Sequence, residues 1–146
     1  MAGRTYRYLT RKPLYPFGYG LTYSNVRVLA AGATKNAEGG LSVTAQVQNL
    51  GGVETEDVVQ LYVKAEDSPF APANPVLCGF ARVHLSAGEG KTVSLSVTER
   101  SLTVVDGDGN RFIPGGRYSL YVGTSQPDER SRALTGTSPV KLELSL

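Results

Sequence analysis

Leu41-Ser42-Val43-Thr44-Ala45-Gln46-Val47-Gln48 alternates apolar and polar residues without a break. A period of two sends successive side chains to opposite faces of an extended strand, so one set meets a core and the other meets water. The same alternation returns in Val93, Leu95 and Val97 between Thr92, Ser94, Ser96 and Thr98, in Tyr118, Leu120 and Val122, and in Val140, Leu142, Leu144 and Leu146. Val58-Val59-Gln60-Leu61-Tyr62-Val63 is nearly continuous and β-branched, as a central strand requires. Weaker strand patterns cover 25–31, 80–85 and 102–105. Glycine- or asparagine-bearing turns fall between these runs at 38–40, 49–52, 87–90, 106–110 and 114–116. No stretch of 12 residues carries a helical apolar stripe. The pattern predicts an all-β sandwich of about seven strands in two sheets. Its inward faces are expected to hold Val43, Ala45, Val47, Val59, Leu61, Val63, Val93, Leu95 and Val97, or else the opposite face of the strand at 58–63.

The chain has 146 residues, of which 40% are hydrophobic, with 17 Gly and 8 Pro. That length suits one domain with a real core, burying roughly 70% of its unfolded surface. The net charge of +2 is unevenly spread. Arg4, Arg7, Arg11 and Lys12 stand in the first twelve residues with no acid, leaving eleven bases against thirteen acids in the rest. A single cysteine, Cys78, allows no intrachain disulfide. No apolar run reaches 18 residues, so no membrane partner is expected, and no charged-then-apolar leader opens the sequence. Localisation and oligomeric state stay open.

Residues 1–23 differ in kind from residues 24–146. They hold Tyr6, Tyr8, Tyr15, Phe17, Tyr19 and Tyr23, six of the twelve aromatics, punctuated by Pro13, Pro16, Gly18 and Gly20. The segment has neither helical nor strand periodicity and is expected to be a basic, aromatic strap or linker ahead of the sandwich. Phe17 and Tyr23 could instead close one end of the sandwich. Tyrosines interleaved with bases can also stack on single-stranded nucleic acid, but the slightly acidic remainder argues against that partner. Between 67 and 75, Pro69, Pro72 and Pro75 predict a semi-rigid surface loop.

Residues that carry chemistry are scarce. His84 is the only histidine and falls in a strand pattern without a triad partner. Cys78 reads as a small buried residue, not a nucleophile. Asp106-Gly107-Asp108-Gly109-Asn110 invites a calcium reading, but the positions that need Gly and Glu are Arg111 and Arg117, so a tight turn is expected and no metal requirement. Glu54, Glu56 and Asp57 cluster beside a turn and read as a solvated acidic edge. Glycoside hydrolysis needs two opposed carboxylates, and none are nominated. The sequence thus offers no catalytic residue, no cofactor-binding residue and no metal ligand, and the isolated chain is expected to have no enzymatic activity.

Gly3-Arg4-Thr5-Tyr6-Arg7-Tyr8, followed by Pro13-Leu14-Tyr15-Pro16-Phe17-Gly18-Tyr19-Gly20-Leu21-Thr22-Tyr23, resembles the lead-in to the last domain of family 3 glycoside hydrolases, the β-glucosidases, β-xylosidases and their relatives. The likeness continues through 43–49 with Gly51, the strand at 58–63, Leu77, Gly79-Phe80, Arg82-Val83-His84-Leu85, Gly88, Lys91-Thr92-Val93, Asp106 with Gly109, Pro114-Gly115, Tyr118 and Val122-Gly123-Thr124-Ser125. Two places depart from it. Pro75-Val76-Leu77 lacks a charged pair usual there, and Val105 replaces a common aromatic. The resemblance implies an immunoglobulin/fibronectin type III-like sandwich that serves a retaining β-glycosidase as a non-catalytic accessory domain. The aspartate nucleophile and the acid/base carboxylate of such an enzyme lie on other domains, expected upstream of Met1. Those domains are the expected partner, and Tyr6, Tyr8, Tyr15, Phe17, Tyr19, Arg4 and Arg7 are the expected docking residues. The alternative is a free-standing module that holds a glycan or a protein through the same aromatic segment.

Overall fold

The computed structural model describes residues 3–146; Met1 and Ala2, which the sequence groups with the strap, lie outside the described residues. Seven long strands form two antiparallel sheets. The first has the order β1 (Val26–Lys35), β2 (Leu41–Asn49), β5 (Gly90–Val97). The second has the order β4 (Val76–Leu85), β3 (Thr55–Ala65), β8 (Arg117–Gly123), β9 (Val140–Ser145). A two-residue ribbon, β6 (Val104–Val105) with β7 (Arg111–Phe112), is added at one end. The chain is therefore the expected all-β, fibronectin type III-like sandwich, with a small ribbon beyond it.

The alternation in β2 becomes burial directly. Leu41, Val43, Ala45 and Val47 are buried, whereas Ser42, Thr44 and Gln46 are exposed. Across the core they meet Val59, Leu61 and Val63 of β3 and Leu120 and Val122 of β8. Each fully buried Val or Leu contributes about 1.5–3 kcal/mol relative to exposure. Leu95 and Val97 are buried as expected, but Val93, nearer the start of β5, is only partly buried.

In β3 the inward face is Val59-Leu61-Val63, yet Gln60 and Tyr62 on the outward face are buried too. The run looks continuous in sequence because something covers both sides of this strand. Opposite it, the pairing with β4 slips between Leu61 and Tyr62 and leaves Cys78 as the extra residue of a bulge. The Cys78 thiol donates to the Leu61 carbonyl at 3.3 Å, and burial pushes its pKa up to about 12. A thiol in that state is a poor nucleophile.

A 3-10 turn, Glu99–Leu102, follows β5, and the buried Tyr118 ring stands beneath it. The Tyr118 hydroxyl lies 2.8 Å from both the Leu102 and the Pro114 carbonyls. Residues 106–110 form the tight turn between β6 and β7. There the Asp106 carboxylate accepts the backbone N–H groups of Asp108 and Asn110, which hold it below the usual carboxylate range. The sequence pattern missed the 3-10 turn and β7, and its strand at 102–105 shrinks to Val104–Val105 because Leu102 ends the 3-10 turn. It also missed α1 (Glu129–Thr135). Asp128 caps its start by accepting from the Ser131 N–H at 2.6 Å, and Gly136 ends it at φ 66°. With seven residues it is too short to show a stripe.

Candidate docking site

The cover over β3 is the N-terminal strap. Residues 16–19 make a four-residue turn in which the Tyr19 N–H donates to the Pro16 carbonyl, with Gly18 at φ 74°. With Phe17 at negative φ this is a type II turn, whose third position needs a positive φ, and glycine stands there. Gly18 also lies directly on Gln60: a Cβ at that position would overlap Gln60 Oε1. This close approach lets Gln60 Nε2 donate to the Gly18 carbonyl at 2.8 Å and to the Thr124 carbonyl at 2.9 Å. Gln60 Oε1 in turn accepts from the Tyr62 hydroxyl at 2.6 Å. Every polar atom of this buried amide is therefore used, and desolvation drives the Tyr62 phenol well above its ordinary pKa.

Other polar side chains tie down the rest of the strap. Asn74, from the proline-rich loop, donates through Nδ2 to the Tyr6 and Leu9 carbonyls at 2.7 and 2.9 Å, and its N–H donates to the Arg7 carbonyl. The Leu77 N–H of β4 donates to the Tyr6 hydroxyl at 3.1 Å. The Gln126 N–H donates to the Phe17 carbonyl, and Arg130 Nε of α1 donates to the Leu14 carbonyl at 3.1 Å. At the entry to β1, Ser24 Oγ donates to Asn49 Oδ1.

Several large side chains of the strap nevertheless point outward. Leu14 is 81% exposed, Tyr15 71%, Leu21 92% and Tyr23 96%. Tyr23 therefore does not close the end of the sandwich. Phe17 stacks on the half-buried Tyr6 ring, with centroids 4.0 Å apart and an 8° interplanar angle, and Tyr15 stacks on Tyr19 at 5.8 Å. Between strap and sandwich lies a cleft of about 460 Å³ lined by Arg4, Tyr6, Arg11, Lys12, Tyr15 and Phe17, with Glu129 and Arg130 of α1 opposite. Among the described residues, none of the strap bases has a carboxylate within 4.0 Å.

The structure thus gathers Arg4, Tyr6, Tyr15 and Phe17 at one cleft. Tyr19, stacked on Tyr15, lines a different pocket beside Gly20 and Leu21, and Arg7 and Tyr8 line a separate groove. The residues that place the strap, namely Gln60, Asn74, Gln126 and Arg130, were not read from the sequence. Only Gln60 left a signal there, as the one polar residue inside an apolar run.

The remaining candidates take ordinary places. His84 is exposed on β4, and its carbonyl accepts from Lys91 Nζ. Glu56 pairs with Arg82 on the neighbouring strand, both well exposed. Asp57 is half-buried, and desolvation raises its pKa despite the hydrogen bond it accepts from the Val58 N–H. Among the described residues, no three His, Cys, Asp or Glu side chains gather as a metal site.

Residues 57–126 match the family model of the fibronectin type III-like domain. Over 140 residues the chain is 37% identical to a xylan 1,4-β-xylosidase of Xylanibacter ruminicola, covering 94% of this chain and 16% of that protein. A putative β-xylosidase of Formosa agariphila is 34% identical over 84% of this chain and 17% of its own length. Among solved structures, a β-glucosidase of Streptomyces venezuelae superposes with a TM-score of 0.78 at 32% identity, over 97% of this chain and 18% of that one. The GH3 β-glucosidase of Bifidobacterium adolescentis gives 0.75 at 27% identity, over 90% and 18%. The chain therefore spans about a sixth of the length of these relatives.

Proposed function

We propose that this chain, which carries a fibronectin type III-like domain, serves a family 3 glycoside hydrolase as a non-catalytic accessory domain and docks through its strap onto the catalytic domains of the same protein. One observation carries this reading: nearly the whole chain aligns with glycosidases, yet it accounts for only 16–18% of their length. The parent would be a retaining β-glycosidase whose nucleophile and acid/base lie outside these residues.

The outward side chains of the strap suit a docking role. Leu14, Tyr15, Leu21 and Tyr23 form an apolar set too exposed to serve the sandwich itself, and exposed sets of this kind mark contact surfaces. Arg4, Arg11 and Lys12 beside them would meet acids on the partner. The strap is already pinned by Gln60, Asn74 and Arg130, so docking would order little new chain and lose little entropy.

The test is assembly in trans. The segment encoded upstream of Met1 and this chain are produced as separate polypeptides and mixed. A stable complex, weakened at least about tenfold by Tyr15→Ala with Leu21→Ala, is the expected result. An upstream frame that encodes no glycosidase, or two polypeptides that migrate independently, would refute the reading.

A further inference from the structure

A second groove, of about 450 Å³, adjoins the strap cleft, and Asn74 lines both. Four separate chain segments wall it: the strap with Arg7 and Tyr8, the proline-rich loop with Phe70, the 3-10 turn with Arg100, and the β6–β7 ribbon with Arg111. Lys64 of β3 joins them. Its lining holds four bases and no acid, although residues 24–146 together carry more acids than bases.

Three of the acids adjoining these residues in sequence are engaged elsewhere: Asp67 pairs with Arg117, Asp106 serves its own turn and Glu99 lies against Gly39. Glu66, 3.9 Å from Lys64, offsets that one base. Arg7, Arg100 and Arg111 have no carboxylate within 4.0 Å among the described residues, so the groove keeps a local positive field from its three guanidinium groups.

Its walls are fixed. The Arg7 carbonyl accepts from the Asn74 N–H. Arg111 Nη1 donates to Thr103 Oγ1 at 2.8 Å, and that hydroxyl donates to the Arg100 carbonyl at 2.6 Å. Phe70 meets Phe112 edge to face at 6.1 Å, and three prolines stiffen its loop. Tyr8 and Phe70 are each about half-exposed, so apolar ring surface stands beside the guanidinium groups. The Ser101 and Thr103 hydroxyls also line the groove, each already in a hydrogen bond within the protein and left with lone pairs that can accept.

The geometry points to a binding site for a carboxylate-bearing saccharide, a short oligosaccharide that contains hexuronate. Guanidinium forks match a carboxylate in two parallel hydrogen bonds. Aromatic rings take the C–H face of a pyranose, and the hydroxyls pair with those of the sugar. The volume falls in the range of small-ligand clefts. A bare inorganic anion would leave the rings unused, and an acidic peptide is the competing occupant that the test below separates. Arg7 and Tyr8 belong to this groove, while Leu14, Tyr15, Leu21 and Tyr23 remain for docking.

Titration of the chain with trigalacturonate, followed by calorimetry and by backbone resonance shifts, tests the site. Binding is expected to move the resonances of Arg7, Arg100 and Arg111. The methyl-esterified trisaccharide, hexaglutamate and sulfate are each expected to bind at least about tenfold more weakly, because each lacks either the charge or the ring. The double variant Arg100→Ala with Arg111→Ala should lose at least about tenfold in affinity while staying folded, and Arg7→Ala, which removes no side-chain hydrogen bond among the described residues, gives a second test outside the sandwich. Equal binding of the methyl ester, tighter binding of hexaglutamate or sulfate, no binding, or affinity unmoved by both variants would overturn the proposal.

Discussion

Gln60 Nε2 donates a 2.8 Å hydrogen bond to the Gly18 carbonyl, and this contact joins the centre of the main sheet to the turn of the strap. It fixes the identity of both residues. Gln60 supplies two donors and an acceptor where the strap, the Thr124 carbonyl and the Tyr62 hydroxyl need them, and Gly18 supplies both a positive φ and the absence of a Cβ.

Gly18→Ala should therefore destabilise on two counts. An alanine at φ 74° costs about 1–2 kcal/mol, and displacing Gln60 from its buried partners costs about 1–3 kcal/mol more. For a domain of this size the Tm should fall by about 5 °C or more. The same variant should speed hydrogen exchange at the Tyr19 and Gln126 amides, which close the turn and hold the strap. Wild-type melting together with wild-type exchange would show that the contact is dispensable.

Asn49 is the second fully buried polar hub. Its Oδ1 accepts from Ser24 Oγ and from the Gly51 N–H, and its Nδ2 lies 2.7 Å from the Val53 carbonyl and 3.1 Å from the Ser86 carbonyl. Asn49→Ala would leave several of these groups unpaired in the interior, at about 1–3 kcal/mol for a typical unsatisfied group. The expected loss in denaturant midpoint corresponds to about 2–4 kcal/mol. Asn49→Asp should recover little of it, because a carboxylate cannot donate to the two carbonyls. Recovery of wild-type stability in the Asp variant would contradict this account.

Much of the fold was legible because water enforces it. β2, β5 and β9 each have one wetter and one drier face, so their alternation survives in the sequence. β3 hid its orientation, since the strap buries Gln60 and Tyr62 on the side that would otherwise face solvent. α1 left no trace because its seven residues bury only Ser131. The strap was legible as an irregular aromatic segment, but its seat was not. Asn74 and Arg130 hold it by pairing with backbone carbonyls 65 and 116 residues away, and a carbonyl has no residue identity that a sequence could display.

Asp57 gives a pH test with a definite sign. Its folded pKa lies above 3.8 because burial disfavours the carboxylate. The folded state therefore binds more protons than the unfolded state over that window, and the Asp57 contribution to stability falls as pH rises from below 3.8 through the folded pKa. Asp57→Asn removes the charge and keeps an oxygen for the Val58 N–H. The variant should match the wild type near pH 3, gain on it as pH rises and hold a constant advantage at neutral pH. Asp67, Glu89 and Glu143 have lowered pKa values and act in the opposite sense, losing their contributions as pH falls, but they are common to both proteins and cancel in the difference. A difference in Tm that is flat from pH 3 to 7 would mean that Asp57 is not the titrating group.

Tyrosine chemistry ranks the rings of the strap against those of the sandwich. Tyr62 and Tyr118 are sealed, and desolvation raises the pKa of both phenols, which slows any reagent that attacks phenolate. Tyr15 and Tyr23 stand largely in solvent, and Tyr8 is about half-exposed. Tyr6 and Tyr19 are intermediate, one stacked on Phe17 with its hydroxyl against the Leu77 N–H and the other stacked on Tyr15. Tetranitromethane followed by peptide mapping should therefore modify Tyr15 and Tyr23 first, Tyr8 next, Tyr6 and Tyr19 slowly, and Tyr62 and Tyr118 only on unfolding. Repeated on the complex with the upstream segment, the reaction should lose Tyr15 and Tyr23 from the fast class while Tyr62 and Tyr118 stay unreactive. Equal protection of Tyr6, Tyr8, Tyr15, Tyr19 and Tyr62 in the isolated chain would instead make the strap a part of this domain's own core and leave it no face with which to dock.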